Sequence, residues 1–240
     1  MPVELTERQK SILDAVIREY VTMAEPVASE HVVRKYRLPY SPATVRNELV
    51  ALDQAGYLAQ PHTSAGRVPT DKGYRFFINH REVRSEENVP SREERAIREL
   101  SRLSDPAEFM KQASRLMAHL TRNFVLAGFP EEELFYKSGI SQVLREPEFS
   151  DFELLREFSA LIDSIEDDIT RWLGTGELDE PRTFIGGENP IRRARHYGMI
   201  ISSLETPFEK ESVILLMGPK RMDYEHNLAI LKHFQEALMR

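Results

Sequence analysis

The chain has 240 residues, a formal net charge of −7 at pH 7 and no cysteine, which fits one or two domains with a sizeable core. The lack of cysteine excludes disulfides, thiolate metal sites and cysteine nucleophiles. No stretch approaches the roughly 18 apolar residues of a membrane helix, and the start MPVELTERQK lacks an apolar secretion segment, so we expect a soluble cytoplasmic protein without a membrane partner.

Positive charge is concentrated in one short part of this acidic chain. Residues 1–80 carry ten Lys and Arg against nine Asp and Glu, whereas the remainder carries 22 against 30. Within residues 34–75 there are seven cations and three anions. A local excess of this kind indicates a polyanionic partner, although charge alone is equally compatible with a solvated face.

The first 40 residues predict two helices. Thr6 followed three residues later by Gln9 matches a capping box, and the apolar positions within 12–21 recur at helical spacing. Ser29 is the predicted N-cap of a second, shorter helix.

A third helix is predicted to begin at Ser41. This residue is a favourable N-cap, and Pro42 follows at the first helical position, where its missing N–H costs nothing. Gly56 is the predicted stop. The apolar stripe that would face the core consists of Val45, Leu49 and Leu52.

The same periodicity turns Ala43, Thr44, Arg46 and Asn47 away from the core. These are the positions that a recognition helix presents to base edges. Arg suits guanine and Asn suits adenine in bidentate pairs, while small residues allow close approach. An ordinary capped surface helix is the alternative interpretation.

Two short strands are predicted directly behind this helix. Tyr57–Gln60 and Arg67–Pro69 are strand-like, and the small residues 61–66 join them. This arrangement is typical of a wing. Gly66 would let the backbone approach a phosphate, and Arg67 would contact a phosphate or the minor groove.

A fourth helix completes the first predicted domain. Thr70 can cap it, and Lys72 and Arg75 near its start would contact phosphates. The order of elements predicts an N-terminal winged helix-turn-helix over residues 1–80.

The remainder predicts a helical region and a small sheet. Residues 81–104 are expected to form a linker or helix, and residues 105–240 the second domain. That domain contains a helix over about 105–122, a long amphipathic helix over 152–172 as a core or dimer helix, and a closing helix over about 223–239. Three apolar runs predict a small antiparallel sheet of about three strands, which would be marginal by itself. They are Thr183–Ile185, Tyr197–Leu204 and Val213–Met217. The predicted fold class is α+β.

No sequence pattern of an enzyme is present. The chain lacks a phosphate-binding loop, a GxSxG motif and HExxH-type histidine spacing. Carboxylate clusters at Glu131–Glu133 and Asp167–Asp168 are best interpreted as solvated faces, and Gly218–Arg221 as a turn rather than an anion site. We therefore expect a non-enzyme without cofactor or metal.

Several separated segments resemble the family of heat-inducible transcription repressors called HrcA. They are SPATVRNEL (41–49), PHTSAGRVPTDKGYR (61–75), LFYKSGISQVLREPEF (134–149), FIGGENP (184–190) and MGPKRMDY (217–224). The resemblance implies a homodimeric repressor of chaperone operons that binds double-stranded DNA at an inverted-repeat operator named CIRCE, with support from a GroEL-type chaperonin. It also implies that the second domain is a reduced GAF-like domain, because typical members have a longer middle region.

The resemblance carries a set of DNA-contacting positions to this chain. In the third helix they are Ser41, Ala43, Thr44, Arg46 and Asn47, and in the wing they are His62, Thr63, Ser64, Gly66 and Arg67. A different class of function remains open, in which the winged helix docks an acidic protein and never reads DNA. The small polar loop 61–66 favours phosphate approach, because protein interfaces are enriched in aromatic residues.

Overall fold

The computed structural model describes residues 4–63, 65–80, 91–174, 178, 180–208 and 210–238. The chain divides into two compact units, Met1–Glu82 and Val83–Arg240. The mixture of helices and antiparallel sheets confirms the predicted α+β class. Residues 91–100 of the predicted linker or helix are helical, and residues 81–90 lie outside the described residues.

The N-terminal unit contains four helices and one short hairpin among its described residues. The helices are α1 (Glu7–Met23), α2 (Ser29–Tyr36), α3 (Pro42–Gln54) and α4 (Asp71–Asn79). Between α3 and α4, strands β1 (Leu58–Ala59) and β2 (Val68–Pro69) pair antiparallel.

Local capping explains where three of these helices begin. Thr6 and Gln9 form the predicted capping box, with the Gln9 N–H 3.3 Å from Thr6 Oγ1 and the Thr6 N–H 3.0 Å from Gln9 Oε1. Ser41 and Thr70 cap α3 and α4 as predicted. The predicted cap Ser29 is wrong, because the extended residue before α2 is Ala28 and Ser29 is already helical and buried.

The C-terminal unit surrounds a five-stranded antiparallel sheet. Its strands are β3 (Phe124–Phe129), β4 (Leu134–Ser138), β5 (Arg182–Ile185), β6 (Tyr197–Ser203) and β7 (Val213–Pro219), in the spatial order β4-β3-β7-β6-β5. Its helices are α5 (Ser91–Leu100), α6 (Pro106–Thr121), α7 (Ile140–Val143), α8 (Phe152–Leu173) and α9 (Tyr224–Leu238).

The prediction of about three strands is therefore wrong. Strands β3 and β4 were missed, and β3 is one of the central strands, paired with both β4 and β7. Every residue of β3 is buried, so the strand reads as a continuous apolar run without the alternation that marks a half-exposed strand. A five-stranded sheet with helices on its faces is not the marginal structure that three strands would form.

Helix α8 supplies a large part of the core of this unit. Phe158, Leu161 and Ile165 are buried and pack in one cluster with apolar residues of β3, β6 and β7. The long helix predicted from this stripe is confirmed, and its central residues belong to the core. Phe152 departs from the predicted stripe, since it is 72% exposed at the first helical position.

One turn in this unit depends on a glycine. Gly139 connects β4 to α7 with φ of +81°, and a Cβ at this position would lie 2.0 Å from the carbonyl oxygen of Asn123. A side chain there meets both a backbone conformation unfavourable to L residues and a direct overlap with backbone.

We expect Gly139→Ala to lower the free energy of unfolding of the C-terminal unit by at least about 2 kcal/mol, because strain and overlap add. Gly174→Ala is the matched control, since its nearest contact would be an ordinary 3.5 Å. Urea denaturation followed through the single tryptophan, Trp172, measures both variants. Equal stability of the two variants would contradict the role of Gly139.

Candidate nucleic-acid interface

A buried carboxylate joins α1 to α2. The side chain of Glu19 on α1 is only 1% exposed, and its three partners all lie on α2. Its oxygens are 2.6 Å from His31 Nε2, 2.7 Å from Lys35 Nζ and 3.2 Å from the Tyr36 hydroxyl. Because a buried charge is tolerated only when it is paired and hydrogen-bonded, these contacts fix α2 against α1.

The protonation of Glu19 is shifted by the same partners. Burial by itself raises the pKa of the carboxyl, but hydrogen bonds from Lys35, His31 and Tyr36 together with the charge of Lys35 outweigh burial, so the pKa lies below its ordinary value of 4.5. Burial and the Glu19 charge raise the pKa of Tyr36 to about 12.

Helix α3 is oriented by its apolar stripe. Val45, Leu49 and Leu52 are buried as predicted. Glu48 is also buried, at 8% exposure, and forms an ion pair with Arg8 of α1. These contacts set the rotation of α3 about its axis and leave its opposite face in solvent.

The N-terminal end of α3 presents most of the predicted base-reading residues. The Thr44 N–H donates to Ser41 Oγ at 3.1 Å, and the two hydroxyls lie 2.9 Å apart. Ala43 and Asn47 are exposed. The Arg46 side chain is 69% exposed, and its guanidinium lies 4.0 Å from Glu30, a surface pair that contributes little and leaves the side chain available.

The hairpin loop, residues 60–67, is shaped by a side-chain amide. Gln60 Nε2 donates to the carbonyl oxygens of Thr63 at 2.9 Å and Ala65 at 3.1 Å. His62 and Thr63 are exposed. The predicted site residue Ser64 lies outside the described residues.

The structure gives Gly66 a packing role that the sequence did not indicate. A Cβ on Gly66 would lie 2.4 Å from the backbone of Val27, because Val27 and Arg67 exchange two backbone hydrogen bonds of 2.9 Å. This close approach needs glycine, whatever phosphate contact the residue makes.

The side chains of Arg67 and Lys72 bind groups at the C-terminal end of α3. Arg67 Nε lies 2.9 Å from Asp53 and its side chain is 12% exposed. Lys72 Nζ donates to the Ala55 carbonyl oxygen at 2.7 Å and lies 4.1 Å from the centre of the Tyr57 ring. A cation is favourable beside the last carbonyls of a helix.

The twelve predicted positions are therefore not one cluster. The five from 41 to 47 share the N-terminal end of α3, whereas Arg67 and Lys72 are held at its C-terminal end, roughly 10–20 Å further along the helix axis at 1.5 Å per residue. Arg75 is half-buried on α4. Their contacts with DNA stay predictions.

Sequence reasoning missed Glu19, whose contacts position the helices behind the site. A signal was available, because Glu19 falls beside Val16, Ile17 and Tyr20 on the apolar stripe of α1. A charge inside a core-facing stripe indicates a buried, paired group.

The described residues contain neither a candidate metal site nor a candidate membrane helix. No group of three or more His, Cys, Asp or Glu among them could hold a metal ion. No helix in this part of the chain is long and apolar enough to cross a membrane.

The chain is thus an α+β protein that combines a helical unit, with a capped and exposed helix end, and a unit built on an antiparallel sheet. It belongs to the HrcA family, because the family model described as the HrcA protein C-terminal domain matches residues 77–227, more than half of the chain. The family resemblance seen in the sequence is confirmed.

Relatives named heat-inducible transcription repressor HrcA match over different shares of their length. The protein of Thermobifida fusca is 44% identical over 127 residues, which cover 52% of this chain and 36% of the relative. That of Acetivibrio thermocellus is 34% identical over 90% of this chain and 59% of the relative. That of Thermodesulfovibrio yellowstonii is 26% identical over 98% of this chain and 97% of the relative, in an alignment of 339 residues. The alignment is longer than the 240 residues of this chain, so it contains gaps where the relative has residues that this chain lacks. This is expected for a shortened member of the family.

A crystal structure of a hypothetical protein at 2.2 Å resolution has a similar fold. Its TM-score is 0.76 at 19% identity, and the match covers 98% of each chain.

We expect Glu19→Gln to lower the stability of the N-terminal unit by about 3 kcal/mol at pH 7, because the charges of its partners lose their counterion. A carboxyl with a lowered folded-state pKa stabilises the fold above its ordinary pKa, and this contribution is lost as the pH falls through the lowered value. The variant should therefore also lose less stability than the parent as the pH falls below 4.5.

Hydrogen exchange of the α1 and α2 amides measures this local stability over the pH range. Glu7→Gln on the same helix is the matched control, because the Glu7 side chain is 88% exposed in its pair with Lys10. A Glu19→Gln variant as stable as this control would contradict the role of the buried Glu19 carboxylate in fixing α2 against α1.

Proposed function

We propose that this chain is a sequence-specific DNA-binding transcriptional repressor whose N-terminal unit is a winged helix-turn-helix. The observation that carries the proposal is the capped N-terminal end of α3, where Ala43, Arg46 and Asn47 are exposed while the opposite stripe is buried. A recognition helix needs this division between a core face and a face of small and bidentate residues.

In this proposal α3 enters the major groove with its N-terminal end. Arg46 donates two hydrogen bonds to the O6 and N7 of a guanine, and Asn47 pairs with the N6 and N7 of an adenine. Ala43 allows close approach, and the hydroxyls of Ser41 and Thr44 donate to nearby phosphates or base edges.

The hairpin loop supplies the wing in this proposal. Its exposed His62 and Thr63 contact the backbone or minor groove beside the helix. Arg67 can join them only by leaving Asp53, which makes its contribution to DNA binding a competition between the carboxylate and a phosphate.

The proposed target is a heat-shock operon. The relatives are named heat-inducible transcription repressors, and the N-terminal motifs lie in the proposed DNA-binding unit. We propose that two copies of the chain act as a homodimer in the cytoplasm on an inverted-repeat CIRCE-type operator, and that a GroEL-type chaperonin supports their activity. The antiparallel sheet backed by helices supports a reduced GAF-like domain in the C-terminal unit.

A footprint on the region upstream of the organism's own chaperonin operon tests the proposal. Protection of both arms of an inverted repeat is the expected result, because a twofold dimer places one reading helix in each half-site. No protection, together with binding to an acidic protein through the α3 face, would instead establish the alternative of a protein-docking winged helix.

Replacing Arg46 or Asn47 by Ala should weaken binding to the operator by about 1–3 kcal/mol and binding to random duplex by less, because each loses a bidentate base contact. Titrations by fluorescence anisotropy on both duplexes measure the difference. Arg115→Ala is the control, an exposed arginine in the C-terminal unit. Equal losses on the two duplexes would limit Arg46 and Asn47 to phosphate contacts.

Lys72→Ala and Arg75→Ala should each weaken binding to all DNA and make the slope of log K against log salt shallower by about one unit, as for a lost phosphate contact. Binding isotherms from low to high salt give the slope. For Lys72 the structure sharpens the result, since an unchanged slope with lower stability would assign its ammonium to the Ala55 carbonyl alone.

A further inference from the structure

A turn before β6 collects arginines at the surface of the acidic C-terminal unit. The segment IRRARHYGMI, residues 191–200, holds three cations and no anion. Ile191 and Ala194 are buried in the core, and Arg192–Ala194 form a single 3-10 turn. With these two apolar residues facing inward, Arg192, Arg193, Arg195 and His196 all lie exposed.

The backbone of this turn is held by one amide. Asn189 Nδ2 lies 2.9 Å from the carbonyl oxygen of Gly186, 3.0 Å from that of Ala194 and 2.9 Å from that of Tyr197. These bonds tie both ends of the turn together, so that the arginines project from a fixed frame rather than from a free loop.

Helix α8 forms the opposite wall of a cavity of about 600 Å³. Its contribution includes Arg156, Glu157 and the small residue Ala160. The charged lining consists of Arg156, Glu157, Arg192, Arg193, Arg195 and His196. Four arginines thus line a cavity whose lining contains one carboxylate.

The three arginines of the turn have no carboxylate partner within 4.0 Å among the described residues. Arg193 Nη1 donates to Ser164 Oγ of α8 at 3.2 Å, and Arg195 Nε donates to His196 Nε2 at 3.0 Å. Neither acceptor carries a negative charge, so they orient the guanidinium groups without cancelling their charge. Glu157 lies 3.8 Å from His196 Nε2, and Arg156 shares an exposed surface pair with Glu153 at 2.6 Å.

We propose that this cavity, hereafter the arginine pocket, binds a small ligand that carries two or more phosphate groups. Planar guanidinium groups donate paired hydrogen bonds that match phosphate oxygens, and the cations that line this pocket are all arginines. The volume lies in the range of small-molecule sites.

The form of the pocket disfavours two macromolecular ligands. A peptide gains much of its affinity from apolar anchors and backbone pairing, but Ala160 is the sole apolar residue in the lining. A duplex requires cations spread along its backbone, whereas these cations surround one concavity. A compact polyphosphate can accept hydrogen bonds from several arginines of one concavity at once.

Isothermal titration calorimetry of the full chain with sodium tripolyphosphate tests the proposal, with citrate as a carboxylate of similar charge. We expect tripolyphosphate to bind with a dissociation constant on the order of 100 µM or lower, and citrate at least about tenfold more weakly, because a phosphate group offers more acceptor oxygens to the guanidinium groups than a carboxylate does. The double variant Arg192→Gln and Arg195→Gln should weaken tripolyphosphate binding at least about tenfold, because it removes the charge-assisted hydrogen bonds of two guanidinium groups. Arg115→Gln, an exposed arginine on α6, should leave it unchanged.

Several results would overturn the proposal. They are no binding of tripolyphosphate, an equal loss in Arg115→Gln, citrate binding as tight as tripolyphosphate, tighter binding of a hexaglutamate peptide, or a double variant that loses duplex binding while it keeps tripolyphosphate binding. If the double variant fails to fold, Arg192→Gln alone carries the test, because this exposed side chain has no hydrogen bond or ion pair among the described residues.

Discussion

The rotation of α3 about its own axis is the constraint on which the candidate interface depends. Burial of Val45, Leu49 and Leu52 fixes that rotation, and each fully buried side chain of this size contributes about 1.5–3 kcal/mol. Turning the helix to expose the stripe would forfeit all three contributions. Packing of the core therefore places Arg46 and Asn47 in solvent, and no contact made by these two residues is required to hold them there.

The cations near α3 show why formal charge is a poor measure of an available surface. Residues 34–75 carry an excess of four positive charges, yet Lys35 neutralises buried Glu19, Arg67 pairs with Asp53 and Lys72 binds a carbonyl. Arg46 keeps most of its surface in solvent. The arginine pocket presents the opposite case, a cationic cluster inside a unit whose overall charge is negative.

Two family motifs meet at one residue in the C-terminal unit. A Cβ on Gly139 would lie 2.0 Å from the Asn123 carbonyl oxygen, and a Cβ on Gly218 would lie 2.2 Å from Asn123 Oδ1. These glycines belong to segments about 80 residues apart in the sequence, and both allow the backbone to approach the start of β3. Close approach to the residue that precedes the missed strand thus explains one glycine in each of two motifs that were recognised as sequence alone.

The helices of the N-terminal unit, the caps at Thr6 and Ser41, the exposed face of α3 and the family all follow from the amino-acid sequence alone. These features depend on local hydrogen bonds, helical periodicity and short sequence motifs, each of which involves residues close together in the sequence. The number of strands, the burial of Glu19, the partners of Arg67 and the arginine pocket become visible in the folded chain and not before. Each of these depends on residues far apart in the chain becoming neighbours, and a buried central strand or a paired surface cation has no local pattern that distinguishes it.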